Sequence, residues 1–207
     1  MTERTDKWSA PGSGEHYAGP RFSDARAAGR DPRTVAKLLR RHGARGRVLD
    51  APCGTGRLTR ALAQHEGPLV SLDLSASMLA ELRAAHEHAA LRGSITALPF
   101  RARSFDVVVS CRFLHHLHTS EERAIAIREL LRVADRLLVA SFWDSASWTA
   151  LRVRLGLRRS EGPRGRVAFS RAELECHVAA AGGRIVEYST PVRFFTQQTF
   201  FVAERVT

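Results

Sequence analysis

Lysine is almost missing from this chain: Lys7 and Lys37 stand alone among thirty-two basic residues, the other thirty being arginine. Against twenty-one acidic residues this leaves a formal net charge of +11, which attracts acidic partners and admits a nucleic-acid reading. The arginine skew, with its many alanines, equally fits a GC-rich genome whose surplus charge serves solubility. Cysteine is scarce too. Cys53, Cys111 and Cys176 give no paired framework and no CxxC, which excludes a disulfide-stapled scaffold and fits a reducing compartment. No apolar run approaches the roughly 20 residues of a membrane span, and MTERTDKWSAPG holds no signal-peptide core. These absences predict a cytoplasmic protein without a membrane span. At 207 residues, with no repeat and no dividing linker, the chain reads as one domain able to bury a full core. Its oligomeric state is not legible.

What is present centres on Val48 to Leu62, VLDAPCGTGRLTRAL. An apolar run closes at Asp50, Gly54-Thr55-Gly56 make a tight turn, and Leu58, Ala61 and Leu62 recur at helical spacing. Such a strand, glycine loop and helix bring a ligand close to the backbone and to free N–H groups. A dinucleotide loop wants a third glycine and a positive field around the pyrophosphate. Here Thr59 stands at that third position, and Asp50 places a negative charge beside the loop. A carboxylate suits a ligand with a cationic amine and sulfonium and repels a diphosphate. The next apolar strand, within LVSLDLSASML, ends at Asp73, whose carboxylate suits paired ribose hydroxyls.

Taken in order, residues 1 to 30 read as a polar arm interrupted by His16, Tyr17 and Phe22. Asp31-Pro32 reads as a helix start, with Val35, Leu38 and Leu39 inward and Gly43 as the stop. Strands follow over Arg47 to Asp50 and Pro68 to Asp73; Ser75 then caps a helix that ends near His86 and His88. The two histidines have no partner at metal-ligand spacing, and no metal site is expected. Gly93 to Phe100 reads as the third strand with its exit turn, and Phe105 to Ser110 as a buried parallel strand. Thr119 to Glu122 is a capping box, and Leu137 to Phe142 the fifth strand. Trp143, Trp148, Leu151 and Leu155 suggest an amphipathic helix. A second capping box, Ser170 to Glu173, opens the last helix, before strands over Arg184 to Ser189 and Gln198 to Arg205.

VLDAPCGTGR, LDLSASML and GSITALPFRARSFDVVVSCRFLHHL together resemble the class I S-adenosylmethionine-dependent methyltransferases, in the broad group that includes the ubiquinone and menaquinone biosynthesis enzymes. The resemblance covers roughly residues 46 to 140. It implies a Rossmann-like α/β fold: a doubly wound seven-stranded sheet with the last strand antiparallel and helices on both faces. It places a single domain over 31–207, with 1–30 as an arm over the cofactor cleft. The implied cofactor is S-adenosylmethionine. Asp50, Cys53, Gly54, Thr55, Gly56, Asp73, Leu74, Ser94, Ile95 and Cys111 are its expected contacts. Ser94 stands where the family usually has an aspartate for the adenine amino group. Ile95 would pack on the adenine face.

The implied activity is methyl transfer to a small-molecule acceptor. An RNA methyltransferase and a non-catalytic binding protein on the same scaffold remain alternatives, the first for the charge, the second for Ser94. Against RNA, the chain has no appended RNA-binding module and no NPPY-type tetrapeptide. The end of the fourth strand, Cys111 to His116, is where an open α/β sheet receives ligands. His115 and His116 are the candidate bases, because imidazole titrates near neutral pH; the competing reading has one capping the connection and the other facing water. Cys53 reads as a reactive thiol or as a small side chain filling the turn. Tyr17 would line the cleft or pin the arm. Arg112, Arg158, Arg159, Arg164 and Arg166 are candidate substrate contacts, because arginine grips carboxylate or phosphate with two parallel bonds; the alternative is a solvated basic loop. Gln197 and Gln198 offer amides at a cleft or mark a turn.

Overall fold

The computed structural model of the chain describes residues 25–86, 88–147, 152, 155–156, 166–190 and 198–206. The expectations for Tyr17, Arg158, Arg159, Arg164, Gln197 and the helix from Trp148 to Leu151 fall outside them. The first helix, α1 (Ala25–Arg41), leads to β1 (Val48–Asp50), a one-turn α2 (Thr59–Leu62), β2 (Leu69–Asp73) and α3 (Ala76–Ala85). Then come β3 (Ala89–Arg92), β4 (Phe105–Ser110), a 3-10 turn at Leu114–His116, α4 (Ser120–Val133) and β5 (Ala134–Trp143). The order closes with α5 (Arg171–Ala180), β6 (Gly183–Ser189) and β7 (Gln198–Arg205).

The sheet has seven strands, as the resemblance implied, and their order is β3-β2-β1-β4-β5-β7-β6. β1 lies in parallel between β2 and β4, with Asp50 opposite Ser71 on one side and Val109 on the other. The chain winds outward through β2 and β3, then returns to the other side of β1 as β4. That reversal makes the β1/β4 boundary the switch point at which open α/β sheets hold ligands. β7 runs antiparallel to both β5 and β6. Apolar side chains close both faces. Ile127, Leu130 and Leu131 of α4 and Leu174 and Val178 of α5 pack with Phe142 and Phe201 on one face. Val35, Leu38 and Leu39 of α1 with Leu58 and Leu62 pack on Val48, Val107 and Phe200 on the other. Among the described residues, no helix is long and apolar enough to cross a membrane.

Four expectations are corrected. The first helix begins at Ala25, before Asp31, and carries Pro32 inside it. Asp31 is no cap; it is 3% exposed and ion-paired, so a tertiary partner rather than a free helix end accounts for it. The third strand is Ala89–Arg92, paired with Val70 to Asp73, and not Gly93 to Phe100. The latter is a loop because side chains of α4 meet its backbone: Glu129 accepts from the Leu98 N–H, and Arg132 donates to the carbonyls of Leu98 and Phe100. His88 leaves the helix end for the approach to β3, where its Nε2 lies 2.7 Å from the Ser71 hydroxyl. Finally, Trp143 belongs to β5 rather than to a following helix.

Candidate active site

The glycine loop is built by backbone geometry that side chains resist. Gly54 and Gly56 take φ of +56° and +88°, in the left-handed region. A Cβ on Gly56 would stand 2.4 Å from Leu82 Cδ1, so the close seat of the loop on α3 also demands glycine. A Cβ on Gly54 would meet nothing within 4 Å among the described residues. The Asp73 carboxylate ties the loop to the end of β2, accepting from the N–H of Gly54 at 2.8 Å and of Ser75 at 2.9 Å. Thr55 and Leu74 are half-buried beside them.

Asp50 gives the site its sign. The carboxylate is 1% exposed, and among the described residues neither oxygen has a hydrogen-bond partner. Burial, then the charge of Asp73, pushes its pKa well above the usual carboxylate range. An orphaned buried carboxylate costs free energy that a cationic ligand relieves and a diphosphate would worsen. Orphaned acid, glycine loop and oriented Asp73 together fit the aminoacyl and ribose ends of S-adenosylmethionine.

Ser94 sits half-buried in an isolated bridge with Ala97, its hydroxyl 2.8 Å from that of Thr96. Ile95 is 5% exposed and packs into the core, so its backbone rather than its side chain is what a ring would meet. Cys53 is buried among Leu79 and Leu82. Burial and the charges of Asp50 and Asp73 push its thiol far above the normal range, which favours the reading of a side chain that fills the turn.

At the end of β4 the histidines separate. His115 is 3% exposed, stacked on Trp143 with centroids 4.6 Å apart, and its carbonyl accepts from Val167 N–H. Burial first, then His116, Arg166 and Arg112, hold its pKa well below the imidazole range, so it is neutral at pH 7. His116 is half-buried, 4.3 Å from the ring of His115. Arg166 lies over Trp143 at 5.3 Å. Arg171, within the capping-box stretch expected to open the last helix, is the first residue of α5 and pairs with Asp144 at 2.8 Å.

Composition did not single out Asp31 and Arg57 as functional. Both converge here with Arg112: the Arg112 Nε donates to Asp31 Oδ2, and Arg57 Nη1 lies 3.7 Å from the same oxygen. Gln198 reaches the other oxygen at 3.4 Å and the Ser141 hydroxyl at 3.5 Å. Ser141 accepts from Arg112 N–H at 2.8 Å, fixing that residue at φ +59°. The Cys111 thiol lies 3.8 Å from the Ser141 hydroxyl and 3.8 Å from the Gln198 amide nitrogen. Burial, then Asp31, with Asp50 a smaller contributor, raises its thiol to about 12. Only the adjacency of Arg57 to the loop, and of Arg112 to a strand end, signalled this cluster in the sequence.

Residues 49–136 match the family described as a methyltransferase domain. The malonyl-[acyl-carrier protein] O-methyltransferase of Enterobacter lignolyticus is 30% identical over 167 residues, 78% of this chain and 65% of that one. The demethylmenaquinone methyltransferase of Beutenbergia cavernae is 35% identical over 97 residues, 46% and 40% of the two chains. The chain spans 39% to 65% of the length of the curated relatives it matches. In structure, the magnesium protoporphyrin IX methyltransferase of Synechocystis with bound S-adenosylmethionine superposes with a TM-score of 0.75 at 20% identity, over 99% of this chain and 98% of that one. That likeness is one of fold.

Proposed function

We propose that this chain is a class I S-adenosylmethionine-dependent methyltransferase, a reading supported by the methyltransferase-domain match over residues 49–136 and by the 30% identical malonyl-[acyl-carrier protein] O-methyltransferase. The reaction is transfer of a methyl group to an anionic small-molecule acceptor. S-Adenosylmethionine, when bound, supplies an electrophilic methyl on a sulfonium, so the protein contributes positioning and field rather than bond-making groups. Asp73 would hold the ribose hydroxyls, and Gly54 and Gly56 would keep the loop backbone close to the ligand. Asp50 would answer its positive charge.

The observation that carries the reading is the buried Asp50 carboxylate, without a hydrogen-bond partner among the described residues, which selects a cationic ligand over a dinucleotide. The acceptor is read as anionic because Arg112 and Arg57 bring two guanidinium groups to the strand ends, with Arg166 in the stretch beyond β5. An acceptor oxygen already ionised needs no proton removed. That agrees with a His115 closed off by stacking. The relative named for O-methyl transfer to a malonyl group supports an acidic acceptor. A nucleic-acid acceptor is the second reading, favoured by the charge of +11 alone.

The test is calorimetry with S-adenosylmethionine and with NAD, followed by incubation of the protein with methyl-labelled S-adenosylmethionine and fractionated extract. Binding of the former and label in the acidic small-molecule fraction are expected. Preference for NAD would remove the methyltransferase reading, and label confined to RNA would replace the acceptor class.

A further inference from the structure

Two guanidinium groups converge on one buried carboxylate beside the cleft, and the balance is unequal. Asp31 is 3% exposed and carries one negative charge against Arg57 and Arg112. Arg57 is the poorly served partner. Its side chain is 27% exposed, and its contact with Asp31 is 3.7 Å, beyond a good N–H···O distance. Among the described residues it makes no other hydrogen bond or ion pair. A guanidinium has five donors in a planar fork, so most of its capacity is unspent among the described residues. Burial, then the neighbouring Arg112, depresses its pKa against the opposing pull of Asp31.

The position is as informative as the charge. Arg57 follows Gly56 of the loop, and Arg112 follows the end of β4, so the pair flanks the β1/β4 switch point. Asp31 reaches them from α1, directly before Pro32. A proline inside a helix removes one backbone hydrogen bond and crowds the preceding turn, so α1 is weakest next to the residue that fills the subsite.

We infer that Arg57 and Arg112 form the acceptor's carboxylate subsite, and that Asp31 is its resident occupant, exchanged for a carboxylate of the incoming molecule. The occupant already there is a carboxylate, which sets the size and geometry of what replaces it. Lone pairs engaged by two guanidinium groups are poor nucleophiles, so this carboxylate positions the acceptor and a second ionised oxygen on the same molecule receives the methyl. Gln198 and Ser141, which touch Asp31 and the Arg112 backbone, serve as positioning residues. The inference rests on the acceptor being an anionic small molecule.

The probe is malonate, titrated into the protein saturated with S-adenosylhomocysteine at constant ionic strength, with binding read by calorimetry. Asp31→Ala should bind malonate at least about tenfold more tightly than wild type, the scale of a charge-assisted contact regained. Adding Arg57→Gln and Arg112→Gln should abolish that gain. Equal affinity in wild type and Asp31→Ala, or a gain that survives loss of both arginines, overturns the subsite. So does phosphate binding more tightly than malonate. Should Asp31→Ala fold poorly, arginine Nε–H spectra of the wild type replace it. Saturating malonate should shift Arg57 and Arg112 and leave Arg123, paired with Glu173, in place; shifts in all three, or in none, overturn it. Absence of S-adenosylhomocysteine binding would instead undo the methyltransferase reading, independently of the anion titration.

Discussion

Asp73 holds the glycine loop through the Gly54 N–H, and in the proposed reading the same carboxylate would accept the ribose hydroxyls. Asp73→Ala should therefore weaken S-adenosylmethionine binding by roughly 1.5–3 kcal/mol, the range for hydrogen bonds to a charged group. Calorimetry showing unchanged affinity would put the ribose elsewhere. Asp50 makes a different prediction, because its pKa is raised in the free protein. A cationic ligand stabilises the ionised form, so binding should release a proton from Asp50 and tighten as the pH rises towards its native value. Titrations in buffers of different ionisation enthalpy would show this release, and Asp50→Asn should abolish it. Asp50 and Asp73 were legible because each ends an apolar run beside a glycine or serine turn. Asp31 was not: before a proline it reads as a helix cap, and only the folded chain shows that residues 81 positions apart, Asp31 and Arg112, meet.

Among the elements, α4 and α5 are joined by a contact that neither helix's periodicity reveals. Arg123, almost fully buried, donates to Glu173 at 2.8 Å and to the Leu117 carbonyl at 2.8 Å, and lies 4.7 Å from the Phe169 ring centroid. Truncation to alanine removes the arginine partner of Glu173 and leaves that carboxylate only Ser120 and His177, so the expected loss is about 1.5–3 kcal/mol of stability. Urea unfolding would measure it; replacing Arg123 and Glu173 together by methionine should recover most of the loss. Thr119→Ala removes one half of the observed capping box and should cost about 1 kcal/mol in the same assay. This box was readable because both partners lie within one turn. At Ser170 the sequence pattern is the same, yet the Glu173 carboxylate goes to Arg123, a partner fifty positions away that no local rule selects. The misread third strand has the same origin. GSITALPF has an acceptable strand composition, but Glu129 and Arg132 satisfy its backbone from a helix, leaving the less apolar AALR to pair with β2.

Over the whole molecule, two buried groups set opposing responses to pH. His115 has a native pKa below its usual 6.5, so under mildly acid conditions the unfolded chain binds the extra proton and stability falls as the pH drops below that value. Asp50 has a native pKa above 3.8, so between that value and its native one the folded chain holds the proton and stability rises as the pH falls. His115→Phe keeps an aromatic ring against Trp143 and should flatten only the first response. Urea midpoints from pH 8 to pH 5 should converge between the two proteins at the alkaline end and separate at the acid end, the wild type losing more. The order of the sheet carries a further consequence, for biosynthesis. β6 touches the sheet only through β7, which follows it in the chain and fills the place between β5 and β6. While the polypeptide is still emerging from the ribosome, β5 therefore presents an open hydrogen-bonding edge from Leu137 to Trp143 until Gln198–Arg205 arrive to pair with it. Chains stalled before that point are expected to recruit holdase chaperones, and release should follow within the translation of this one strand.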